Sequence, residues 1–126
     1  MKVIWDIKIS VAGGPSFPLS GFFETEAYDV IEVVIPKESS VPVEVQPGET
    51  GDVLGLLITS TRYSDLTFKV DDSDPQILDG PLPLIGAGLV KILGPTQNVI
   101  LFENESDATD VKVTILVART ATEEGV

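Results

Sequence analysis

Two groups of carboxylates are the residues whose type and spacing offer chemistry. Asp71, Asp72 and Asp74, with Asp65 and Asp79 nearby, would bring hard oxygen ligands together at a loop tip, the donor set that Ca2+ takes. Glu103, Glu105, Asp107 and Asp110 form a second group. Neither fits the calcium loop of paired helices: the first glycine after Asp74 is Gly80, and no glutamate closes the loop at the required spacing. The competing reading of Asp71, Asp72 and Asp74 is a solvated turn whose aspartates bond their own backbone and keep a sheet edge soluble. Paired carboxylates also hydrolyse glycosides, but in a deep cleft lined by aromatic rings. One Trp, two Tyr and five Phe, several of them in strand interiors, do not supply one.

Other reaction classes are excluded by what the chain lacks. It has no histidine and no cysteine, which removes the commonest general base, the thiolate nucleophile and the usual ligands of transition metals. A Ser–Lys dyad from Ser60 or Ser64 with Lys69 has nothing to position it. Gly86-Ala87-Gly88 lacks the third glycine and the strand–helix setting of a dinucleotide loop. The reading is therefore of a protein that is not an enzyme and holds no cofactor other than, in the first loop, Ca2+.

Charge limits the partners. The 126 residues carry 20 acidic and 8 basic side chains, a net charge of −12, and the cations are scattered singly from Lys2 to Arg119. Phosphate backbones and anionic lipid surfaces need a basic stripe, so neither nucleic acid nor membrane is expected as a partner. The first ten residues, MKVIWDIKIS, alternate apolar and polar side chains, which is not the pattern of a secretory signal, and no apolar run reaches membrane-spanning length. A cytoplasmic or particle-bound location is expected. Asn104-Glu105-Ser106 spells a glycosylation sequon and reads as coincidence.

The elements that must position these groups are strands. Val3, Trp5, Ile7, Ile9 and Val11 share one face of a half-buried strand that ends at Gly13-Gly14-Pro15. Val41, Val43 and Val45 alternate with Pro42, which marks an edge strand. Residues 53–61 are apolar enough for a central strand covered on both faces. Leu66, Phe68 and Val70, residues 98–103, and Val111, Val113, Ile115 and Val117 repeat the period of two. Residues 21–36 read as one long strand with a bulge near Tyr28-Asp29, its β-branched run outweighing a helical spacing of apolar positions. Residues 84–93, followed by Gly94-Pro95, fit either one short helix or an irregular strand.

The sum is an all-β, single-domain antiparallel β-sandwich spanning 1–126, jelly-roll-like, with about seven or eight strands and at most one short helix; residues 120–126 are expected to fray. Being acidic, short and free of cysteine, it is similar at the level of fold to small virion- or tail-associated β-proteins of phages. The function expected on these grounds is a non-catalytic structural subunit, phage- or particle-associated, acting through a homo-oligomeric surface. Residues 81–93 carry one charge, Lys91, and Leu82, Leu84, Ile85 and Leu89 within them are the expected oligomer contact. The alternative is a carbohydrate-binding module, Ca2+-assisted through Asp71, Asp72 and Asp74.

Overall fold

The computed structural model describes residues 2–45, 53–70, 74–86 and 99–119. The regular structure within them is ten strands: β1 (Lys2–Ser10), β2 (Ser16–Glu24), β3 (Ala27–Ile35), β4 (Ser39–Glu44), β5 (Val53–Ser60), β6 (Leu66–Val70), β7 (Gln76–Ile77), β8 (Leu82–Ile85), β9 (Val99–Asn104) and β10 (Val111–Arg119). Among the described residues there is no helix, so none is long and apolar enough to cross a membrane.

Strands β3 to β10 follow one rule. The chain runs out through β3, β4, β5 and β6 and returns through β7, β8, β9 and β10, and each returning strand pairs antiparallel with its outgoing counterpart: β6 with β7, β5 with β8, β4 with β9, β3 with β10. This long hairpin is rolled over so that β10 also pairs with β5, and β9 with β6. Two four-stranded sheets result, β3-β10-β5-β8 and β4-β9-β6-β7. That connectivity is the jelly roll. Strands β1 and β2 stand outside it as a two-stranded ribbon.

Period-two alternation decides what lies between the sheets. Val111, Val113, Ile115 and Val117 of β10 turn inward beside Ile35 of β3 and Leu56 and Ile58 of β5. Leu66, Phe68, Val70, Ile100 and Phe102 meet them from the second sheet, all buried. Pro42 lies in β4, an edge strand as its missing N–H requires, and β5 is internal to its sheet.

Asn104 closes one end of the sandwich. It is the last residue of β9, 1% exposed, and its amide nitrogen donates to the carbonyls of Ile35 (3.1 Å) and Thr109 (2.9 Å) while its oxygen accepts from the Ser106 N–H (3.1 Å). Two turns converge on this corner: Glu38 N–H donates to the Ser106 carbonyl and Glu105 N–H to that of Asp65. Glu38 and Asp65 both take left-handed backbone, with φ of 55° and 61°. The sequon asparagine is thus a buried cross-link between the sheets, with its amide engaged.

One local expectation is corrected, and the structure adds detail at two other places. Residues 21–36 are not one bulged strand: β2 ends at Glu24 and β3 begins at Ala27, so the chain breaks at Thr25-Glu26, ahead of the expected bulge. There Thr25 Oγ1 lies 2.9 Å from the Ala27 carbonyl and 2.7 Å from that of Arg119, fixing the crossover. Residues 16–20, between the two expected strands, belong to β2; a two-stranded ribbon leaves alternate N–H groups of β2 unpaired, which admits Pro18. Leu84 and Ile85 end a regular edge strand, and Gly86 leaves it at φ 105°. The rest of the possible helix, 87–93, lies outside the described residues, as do 46–52 and 120–126.

Candidate functional site

The ribbon of β1 and β2 puts nearly all its apolar residues on one face. Val3 faces Phe23, Trp5 faces Gly21, Ile7 faces Leu19 and Ile9 faces Phe17. The reverse face pairs Lys2 with Glu24, Asp6 with Ser20 and Lys8 with Pro18, and carries one apolar pair, Ile4 with Phe22, with the Lys2 ammonium 4.6 Å from the Phe22 ring centre. Gly21 is required opposite the tryptophan: a methyl group there would stand 2.6 Å from the indole ring, so the ring lies directly on the β2 backbone.

A two-stranded ribbon is marginal alone in water and needs a surface to lie on. The outer face of the β3-β10-β5-β8 sheet provides it. Strand register arranges that face in rows: Tyr28, Ala118, Gly55 and Ile85 form one, and Val30, Leu116, Leu57 and Pro83 the next, each crossing all four strands and apolar throughout. The following row, Glu32, Thr114 and Thr59, is polar. Phe23 of the ribbon sits on Gly55, where a methyl group would stand 2.7 Å from its ring. Between ribbon and sheet is an apolar cleft of about 550 Å³, lined by Trp5 and Ile7 above and by Leu57, Pro83, Ile85 and Leu116 below. The ribbon therefore lies over β10, β5 and β8, and no lining residue comes from β3.

This docking is incomplete on both sides. Ile9, Val11, Phe17 and Leu19 at the ribbon tip are each 52–58% exposed, and so are Tyr28 and Val30, the β3 ends of the two apolar rows. Six large apolar side chains left this open, in two clusters, are more than isolated exposed residues and mark a surface for interaction. Charge is subdued here as well. Residues 9–23 form the longest uncharged run in the chain. On the sheet, Asp29 is paired with Arg119, and Glu32 with Lys112 at 3.1 Å.

The carboxylate groups are placed less tellingly. Asp71 and Asp72 lie outside the described residues, and Asp74 is exposed, its backbone carbonyl 3.5 Å from the Gln76 amide nitrogen. Asp110 accepts from the Lys37 backbone N–H (2.9 Å), and Glu103 and Glu105 line a shallow hollow with Glu38. Among the described residues no three acidic side chains converge as metal ligands would. The Ser60 hydroxyl is used within its own turn, donating to the Arg62 carbonyl (2.7 Å). Of the expected contact residues, Leu82 and Leu84 pack against the core, Ile85 lies on the outer face opposite Gly55, and Leu89 is outside the described residues.

The ribbon was not singled out from sequence because Ser16, Pro18, Ser20 and Gly21 look like turn residues. The signal that points to it is the uncharged run from Ile9 to Phe23 in a chain of net charge −12, holding three of the five phenylalanines.

Fold and surface together define a jelly-roll sandwich bearing an apolar ribbon on one sheet. No family model matches the chain, and no curated protein or solved structure does either.

Proposed function

We propose that this chain is a non-catalytic structural subunit that works as a homo-oligomer, a repeated part of a phage or other particle. The observation that carries the reading is the open apolar surface shared by the ribbon and the outer face of β3, on a chain whose net charge would otherwise keep copies apart. The jelly roll suits the role because its two sheets form a rigid block that presents a fixed face; capsid subunits use it so, and lectins use it too, an analogy of fold alone. A carbohydrate-binding module would set a free aromatic ring beside the acidic loop. Here Trp5 lies on Gly21, and the exposed rings of Phe17, Phe22 and Tyr28 belong to the ribbon and β3.

Light scattering coupled to size exclusion tests the reading on the unaltered protein, without calcium or sugar. The expected molar mass is a fixed multiple of the 13.4 kDa subunit across micromolar concentrations. A mass of one subunit throughout that range would overturn it.

A further inference from the structure

The open surface consists of two pieces on one chain, and each supplies what the other lacks. The first is the ribbon tip. Its apolar face is the same face that, nearer the base, already rests on the sheet through Phe23 on Gly55. Past Ile7 that face continues through Ile9, with Val11 at the turn, and returns through Phe17 to Leu19, which sits opposite Ile7; at about 3.3 Å per residue the strand runs roughly 10 Å beyond Ile7. The second piece is the β3 end of the two apolar rows, where Tyr28 and Val30 continue the platform on which the ribbon already lies.

We propose that the ribbon tip of one copy, through Ile9, Val11, Phe17 and Leu19, docks on the outer face of β3, at Tyr28 and Val30, of a second copy of this chain. The proposal rests on the assembly reading above and assigns its contact. Three observations select a second copy as the occupant. The contact extends an interface that is already formed within the chain, with the same ribbon face on the same two rows. Strands β3 and β8 are the two edges of one sheet, and the ribbon lies on the β8 side, so a neighbour set alongside with its β3 next to β8 continues both rows beneath the tip. Charge agrees: in residues 7–23 the single charge is Lys8, a cation, while the chain as a whole is at −12. The two carboxylates flanking Val30 are neutralised by Arg119 and Lys112. These are surfaces on which two copies of so acidic a chain can meet without strong repulsion. Rotational closure limits such a contact to a finite assembly.

The absence of cysteine from the sequence allows a direct test. Leu19→Cys and Val30→Cys variants, both at exposed positions, are co-expressed, oxidised mildly and separated on a denaturing gel. The expected result is a disulfide-linked pair from the co-expressed variants, none from either variant alone, and none when Leu19→Cys is combined with Ile77→Cys, which lies on β7 in the other sheet. If the unaltered protein is oligomeric and the co-expressed pair fails to link, the contact is elsewhere and the proposal falls while the assembly reading stands. Self-linking of Leu19→Cys alone would mean that tips meet tips, which also overturns it. A monomeric unaltered protein would remove both readings and leave the ribbon to a partner of another kind.

Discussion

Asn104→Leu is expected to destabilise the fold by about 3 kcal/mol, because a buried backbone group left without its partner costs roughly 1–3 kcal/mol and this substitution strips the partner from three of them. The groups are the Ile35 and Thr109 carbonyls and the Ser106 N–H, at the corner where β3, β9 and the loop before β10 meet. Leucine keeps the branching of asparagine with bulkier end groups, so no cavity is left and the loss reports the missing hydrogen bonds together with some crowding. For a domain of this size the melting temperature should fall by about 10 °C. Glu103→Ala, one residue earlier and exposed, is the control and should stay within about 0.5 kcal/mol of the unaltered protein. Urea unfolding followed by circular dichroism measures both. Equal stability of the two variants would mean that water replaces the asparagine at that corner.

Gly55→Val is expected to lift the ribbon off the sheet and leave the sandwich folded. Phe23 occupies the space that a side chain at 55 would need, and the clash falls on the far end of its ring, which must move off the sheet. Losing the partial burial of Phe23, Trp5 and Val3 should cost about 3 kcal/mol, taking roughly 1.5–3 kcal/mol for full burial of one large apolar side chain. Trp5 is the chain's one tryptophan, so its emission reports the event: a red shift well below the main unfolding transition. An unshifted emission maximum would show that Phe23 finds another seat and that the glycine is not what holds the ribbon down.

The sandwich was legible where packing and alternation agree. β10 reads directly as Val111, Val113, Ile115 and Val117 because one of its faces lies wholly in the core. Pro42 marked β4 as an edge for a backbone reason that tertiary structure does not alter. β7 is two residues long and gives no period to read. The ribbon failed for a different reason: β2 has no core to face, so its Phe17, Leu19 and Gly21 alternate with Pro18 and Ser20, and local propensity favours turn. Only the register with β1 turns those residues into a surface. The acidic loop was the most conspicuous chemistry in the sequence. The apolar surface could not be seen there, because a period of two shows that a face is apolar but not whether anything covers it. Leu82 and Leu84 illustrate the converse, uncharged neighbours in sequence that the fold packs against its core.

The claim that the ribbon tip is where copies of this chain meet is tested most directly by the molar mass of Leu19→Asp. Leu19 is more than half exposed, sits opposite Ile7 four residues along β2 from Phe23, and does not line the cleft between ribbon and sheet, so a carboxylate there leaves the sandwich and the Phe23 seat intact. Buried in a contact between two chains of net charge −12, the same carboxylate would be unpaired and strongly unfavourable. The expected result is the circular dichroism spectrum of the unaltered protein together with a mass of 13.4 kDa, one subunit, at concentrations where the unaltered protein is an oligomer. An oligomer of unchanged mass would contradict the account and place the contact on another face of the jelly roll.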